Sequence, residues 1–387
     1  MQKIYLDDQN GTPLAGPVIA AMQEALQLSG NPASLHEPGR RSAQALETAR
    51  GQVSALIGAR SEEMIFTSSG TEANHWALLG LVKPFENRAR HLVLSAVEHL
   101  SIVQTARRME KEGWNVTLVP TDRTGRIDPL EVEKAIGPET ILLSIQWANG
   151  EVGTIQPMKE IVQGAKARGI LVHSDAVAAG GRIPIDVRQV PVDALSVASN
   201  SMGGPAGAAA LFVRKGVRIY PLLVGGTQEG GRRAGTENLP GIVGMGQAAS
   251  LAHQEMVSLN KRLTSLRDRL IHGILERFPH ASLNGHPIHR LPGHVSVGFP
   301  GMDAETLVLA LDLEGIAVGI GSACSSRTMK SSHVLKAMGI PESTALGSVA
   351  FTLGRHTTEA EIKRVLDLLP KAAAGQQRVI ERETVHR

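Results

Sequence analysis

Apolar residues recur along the chain with two different periods. Between Arg40 and Ile57 they return at three- and four-residue steps, as Ala43, Leu46, Ala49, Val53 and Leu56, which predicts a helix with one buried face. Elsewhere short β-branched runs stand between charged, helix-like stretches: Met64–Thr67, His91–Ser95, Val116–Pro120, Ile141–Ile145, Ile170–His173, Ala194–Val197 and Ala209–Val213. Turn residues or charged helices bound each run, so each reads as a strand. Seven strands alternating with helices from about Ala15 to Gly216 predict a mostly parallel sheet covered by helices. A long helical stretch follows from about Leu239 to Phe278. Beyond it the pattern breaks into scattered strands such as His294–Val297 and closes with a helix at Glu359–Leu368. The change predicts two domains, as does a length of 387 residues. They are a large α/β domain over residues 15–254 and a small α+β domain made of residues 1–14 and 255–387.

Composition narrows the function classes. With 42% hydrophobic and 20% charged residues and a net charge of +3 over 40 basic and 37 acidic side chains, the chain is an ordinary globular protein. It has no basic stripe of the kind nucleic acids or anionic membranes require. The N-terminus Met1-Gln2-Lys3-Ile4-Tyr5 carries no apolar signal core and no apolar run is long enough to span a bilayer, so a cytoplasmic location is expected. The one cysteine, Cys324, excludes an intrachain disulfide and a cysteine-rich metal framework.

Several segments carry candidate chemistry. Thr67-Ser68-Ser69-Gly70-Thr71-Glu72 follows a strand and opens a helix, where free N–H groups and the helix dipole suit a phosphate, although a plain helix cap has the same composition. The strand at Ile170–His173 delivers Ser174-Asp175-Ala176 at its carboxyl end, where ligands bind in open α/β sheets, and Asp175 could pair with a protonated ring nitrogen. Glu98-His99 ends another strand beside the same crevice and offers an imidazole. The run from Gly225 to Asn238 combines flexible backbone with Arg232, Arg233 and Thr236 and suits an anion. Gly321-Ser322-Ala323-Cys324-Ser325-Ser326 sets the lone thiol among small polar residues, where it is accessible.

In this order, across nearly the whole chain, these segments resemble the cysteine desulfurases, class V members of the aspartate-aminotransferase-like, type I pyridoxal-phosphate (PLP) fold. Tyr5-Leu6-Asp7, Gly30-Asn31-Pro32-Ala33-Ser34, Gly204-Pro205, Gly235-Thr236 and Leu353-Gly354-Arg355 add to the match. The resemblance implies that Gly70 and Thr71, His99 and Asp175 hold the cofactor, with His99 also catalytic, and that Thr236 reaches into the other subunit's site. It further implies that Cys324 carries a persulfide or ligates an iron–sulfur cluster, because its spacing to Ser332-His333-Val334-Leu335 matches the iron–sulfur-assembly branch.

The chain departs from that family around one pocket. Where members carry Ser-x-His-Lys, the lysine linking PLP, this sequence reads Ala198-Ser199-Asn200-Ser201, so the cofactor positions Asn200 and Ser201 hold neither the histidine nor the amine. A glutamine position is Ala178, an asparagine position is Gly150 and the substrate-carboxylate arginine aligns with Ala350. Three readings follow. The first is a non-catalytic member of the sulfur-handling machinery, a homodimer working with an iron–sulfur scaffold or a sulfur acceptor. The second is an enzyme that binds PLP or another phosphorylated ligand noncovalently. The third is a regulatory subunit, in a heterodimer with an active desulfurase whose site it completes.

Overall fold

The computed structural model describes residues 3–87, 89–321 and 332–385. In chain order its elements are β1 (Ile4–Leu6), α1 (Gly16–Leu26), α2 (Glu37–Leu56), β2 (Met64–Thr67), α3 (Gly70–Val82), β3 (His91–Ser95), α4 (Leu100–Lys111), β4 (Asn115–Val119), α5 (Pro129–Ala135), β5 (Thr140–Ser144), α6 (Met158–Ala167), β6 (Leu171–Asp175), β7 (Ala194–Ala198) and β8 (Ala209–Val213). They continue with α7 (Leu239–Arg277), β9 (Ser282–Asn284), β10 (His294–Gly298), α8 (Ala304–Leu313), β11 (Ile316–Ile320), α9 (His333–Ala337), α10 (Glu342–Ala345), β12 (Ser348–Thr352) and α11 (Glu359–Val385).

The first sheet has seven strands in the order β2-β8-β7-β6-β5-β3-β4. From β7 to β4 every pairing is parallel, and only β8 runs against its neighbours β2 and β7. Its inner strands are buried along almost their whole length because both faces are covered, whereas the edge strand β4 leaves Asn115 and Leu118 exposed. On β3, Val93 points into a core with α2, α6 and α7, whereas Leu92 and Leu94 point to the opposite face and pack with Trp76 of α3 and Ile102 of α4.

The second sheet, β1-β11-β12-β10-β9, collects the two ends of the chain. Ile4 and Leu6 of β1 bury beside Val295 and Val297 of β10, Val349 and Phe351 of β12, and the apolar faces of α8 and α11. Helix α7 serves both cores: Leu239, Met245 and Ala249 pack under the first sheet, and Leu263, Leu270 and Ile274 under the second.

Two helix limits differ from the periodicity. Helix α2 starts three residues earlier, at Glu37, because the His36 ring accepts a hydrogen bond from Gly39 N and Pro38 suits the first turn. Helix α11 passes Leu368 and continues to Val385 with Pro370 inside it. Leu369 just before the proline and Ala372 and Ala373 beyond it are buried in the second core, and that packing offsets the hydrogen bond the ring removes.

Candidate active site

The carboxyl ends of the parallel strands open into a cleft of about 340 Å³. Gly70 and Thr71 enter it from the start of α3, where Ser69 caps the helix by accepting from Glu72 N at 3.1 Å. His99 arrives from the start of α4, which its own ring caps, Nδ1 accepting from Ser101 N at 3.1 Å. Asp175 ends β6. Its Oδ2 accepts from Asn74 Nδ2 at 2.7 Å and its Oδ1 from Val177 N at 2.9 Å, so the carboxylate is fixed in direction. Asn200 follows β7 and lines the same space. Five of the expected residues, Gly70, Thr71, His99, Asp175 and Asn200, therefore meet in one cleft.

The other three do not stand there. Ser201 is 2% exposed, donates its hydroxyl to Ala198 O at 2.9 Å, and lines a separate cavity of about 60 Å³ with Arg182, Met202, Gly203 and Arg355. Thr236 is exposed and is not among the residues that line the cleft. Cys324, expected as catalytic thiol and metal ligand, lies outside the described residues. The arginines of the Gly-rich run, read from sequence as anion ligands, already have partners within the chain. Arg233 Nε donates to Glu72 Oε1 at 2.9 Å, and Arg232 donates to the carbonyls of Glu229 and Glu62.

The titratable groups lining the cleft are carboxyls and the imidazoles of His99 and His333. Glu98 is fully buried, accepting on Oε1 from Ser95 Oγ at 2.6 Å and from Gln146 N at 2.8 Å. Burial pushes its pKa up to about 8, with a smaller push from Asp175 that the two hydrogen bonds oppose. Glu151, from the loop after β5, is raised to about 7 by burial, against the pull of its bond with Ser332. With Asp175 these make three carboxyl groups. Among the described residues no lysine or arginine lines the cleft.

Asn74, Glu151 and Gln9 escaped the sequence reading. Asn74 carried a signal, standing one helical turn after Thr71 on the same face of α3. Gln9 carried none, because it comes from the chain's start: its N–H donates to Thr352 Oγ1 at 2.9 Å, which lays the segment across the cleft. Its amide occupies the space left by small residues, Nε2 standing 3.3 Å from where a Cβ at Gly150 would be, beside Ala178.

A PLP group would need a phosphate cup, a partner for its ring nitrogen and an amine. The start of α3 and Asp175 match the first two. The third is missing, since Ser201 is turned into its own turn and no lysine lines the cleft among the described residues. The residues present do not fit a covalently linked cofactor.

A seven-stranded, mostly parallel sheet joined to a five-stranded one, with the cleft at its carboxyl edge, defines the type I PLP fold. The chain belongs to the aminotransferase class-V family, whose profile matches residues 4–365, and within it to the cysteine desulfurases. It is 43% identical over 369 residues to cysteine desulfurase IscS of Methanosarcina thermophila, covering 95% of this chain and 91% of that one. It is also 43% identical over 371 residues to cysteine desulfurase IscS of Dictyoglomus turgidum, covering 96% and 94%. Among solved structures, a NifS-like protein superposes with a TM-score of 0.90 at 33% identity, covering 96% of this chain and 99% of the other. No helix among the described residues is long and apolar enough to cross a membrane.

Proposed function

We propose that the chain serves in sulfur transfer for iron–sulfur cluster assembly without forming a lysine-linked cofactor of its own, Cys324 acting as persulfide acceptor or cluster ligand. The sulfur role is supported by the 43% identity to cysteine desulfurases over almost the whole chain. The loss of lysine chemistry is carried by one observation: the residue at the lysine position is Ser201, buried and bonded to Ala198 O. Nucleophilic amine catalysis needs a group that this position does not have. The reading includes a cytoplasmic homodimer that works with a scaffold or sulfur-acceptor protein. It also includes a division into domains at 15–254 and at 1–14 with 255–387, supported by the way α7 passes from one core to the other between Met256 and Leu263.

The test has two arms. Protein purified and incubated with PLP should lack the visible absorbance of a lysine-linked cofactor and yield no borohydride-reducible adduct. Incubated with an active desulfurase and cysteine, it should acquire a persulfide, or hold iron and sulfide, in a manner lost in Cys324→Ser. Sulfide release from cysteine at the rate of an ordinary desulfurase would sink the proposal.

A second reading, noncovalent binding of a phosphorylated ligand, is favoured by the retained cup at Gly70 and Thr71 and by the Asp175–Asn74 pair.

A further inference from the structure

We infer that Ser101 is a positioning residue: it holds the His99 ring in a single tautomer, so that the neutral ring offers the cleft an N–H donor and no lone pair. This stands whether or not the chain handles sulfur, and it rests on a hydrogen-bond chain whose direction is fixed at every step. Asp175 Oδ2 is a carboxylate oxygen and only accepts, so the group that meets it at 2.7 Å is the amide nitrogen of Asn74. The second hydrogen of that nitrogen goes to Ser101 Oγ at 3.0 Å. Having accepted there, the Ser101 hydroxyl has its own proton for His99 Nδ1, 2.8 Å away. The backbone acts on the same atom, Ser101 N donating to His99 Nδ1 at 3.1 Å. A ring nitrogen that takes two donors carries no proton of its own, and the proton of the neutral imidazole then sits on Nε2.

The opposite tautomer is disfavoured twice over. It would set an Nδ1–H against the Ser101 N–H, donor facing donor, and it would deprive the Ser101 hydroxyl proton of its acceptor. Asn74 of α3 joins the end of β6 to the start of α4, so the state of the His99 ring is keyed to the fixed carboxylate of Asp175. The two imidazoles that line the cleft differ in what remains free. His333 spends its Nε2–H on Glu98 O at 2.8 Å, whereas His99 is exposed and its Nε2 has no hydrogen-bond partner among the described residues. A ligand therefore meets His99 through an acceptor atom. The neutral ring cannot take a proton from that ligand at Nε2, because its one lone pair is occupied by Ser101. The catalytic role that the sequence implies for His99 is thereby narrowed to donation.

Acylation of an imidazole by diethyl pyrocarbonate needs a nitrogen lone pair, and mass spectrometry of the digested protein reads its rate at each histidine separately. The full-length protein is treated at pH 8, where an ordinary imidazole, with a pKa of about 6.5, is neutral. His253 and His356 are the internal standards, being exposed and without a hydrogen bond among the described residues. One hydrogen bond's worth of preference makes His99 at least about five-fold slower than either standard. Ser101→Ala removes the hydroxyl and keeps the backbone donor, and it should raise the His99 rate by about three-fold or more while leaving the standards unchanged. Ser101→Thr restores a hydroxyl and should return His99 to within about two-fold of wild type. Ser101→Val matches threonine in shape without the hydroxyl; it should behave as Ser101→Ala does and supplies the reading if that variant fails to fold. A wild-type His99 as fast as the standards, a rate unchanged in the alanine and valine variants, or a threonine variant as fast as those two overturns the inference.

Discussion

Replacing Glu98 by glutamine should make the protein's stability less sensitive to alkali. In the folded chain the Glu98 carboxyl keeps its proton to about pH 8, because it is buried, whereas in the unfolded chain it ionises near 4.5. Between those values the unfolded state binds fewer protons, so folding stability falls as pH rises. The contribution is fully present below pH 4.5 and is lost through about pH 8. At about 1.4 kcal/mol per pH unit, a separation of 3.5 units amounts to roughly 5 kcal/mol. Glutamine mimics the protonated acid: its oxygen can still accept from Ser95 Oγ and Gln146 N, and it does not titrate. Wild type and Glu98→Gln should therefore be similar in stability near pH 4.5, and the variant should be more stable by several kcal/mol at pH 8. Urea unfolding of both proteins at half-unit steps of pH measures the difference directly, and the titrating groups that do not interact with Glu98 cancel in it. Two parallel curves would refute the reasoning, because they would mean that Glu98 ionises alike in the folded and unfolded chains.

Glu229→Gln should cost about 3–5 kcal/mol, because Arg50 holds that carboxylate with two bonds at 2.7 and 2.9 Å in a buried pair that also takes Phe66 N, and the guanidinium would be left without its counter-charge; chemical denaturation checks this. Gly354→Ala should cost about 1–3 kcal/mol by overpacking, since its Cβ would stand 2.2 Å from Asp8 Oδ1 and push Asp8 off its 2.9 Å ion pair with Arg182; the thermal midpoint reads it. Cys324→Ser should leave the far-ultraviolet circular dichroism and oligomeric state unchanged while abolishing persulfide labelling.

The large sheet was legible because it is buried on both faces: a strand such as Leu142-Leu143-Ser144 alternates between two cores, and a double-sided strand reads as a plain apolar run. Boundaries moved by a residue or so where the ladder, not the side chains, decides the end. Helix α11 is longer than the Glu359–Leu368 expected from the sequence, since Pro370 interrupts its pattern and only the packing of Ala372 and Ala373 in the second core shows the helix continuing past it. In the cleft, Thr71, His99 and Asp175 were legible because each sits at a strand end or helix start, where backbone geometry fixes direction. Ser201 was legible as a missing amine, but its turn toward Ala198 O was not, since a hydroxyl has no sequence signal for which carbonyl it meets. Gln9 was hidden altogether, its contact with the residue 150 region depending on a chain crossing closed through Thr352.

Helix α7 has a mechanical consequence. Its 39 residues form one uninterrupted rod, roughly 58 Å long at 1.5 Å per residue. One half is embedded beneath each sheet, so the two sheets cannot rotate freely about a soft hinge on that side. Any relative movement must bend the rod or slide one of its packed faces, and both are resisted along the whole length of a core. Such a strut transmits a push at one sheet to the other as a small, stiff displacement, and the Gly-rich run that leads into its first turn at Leu239 stands at the loaded end.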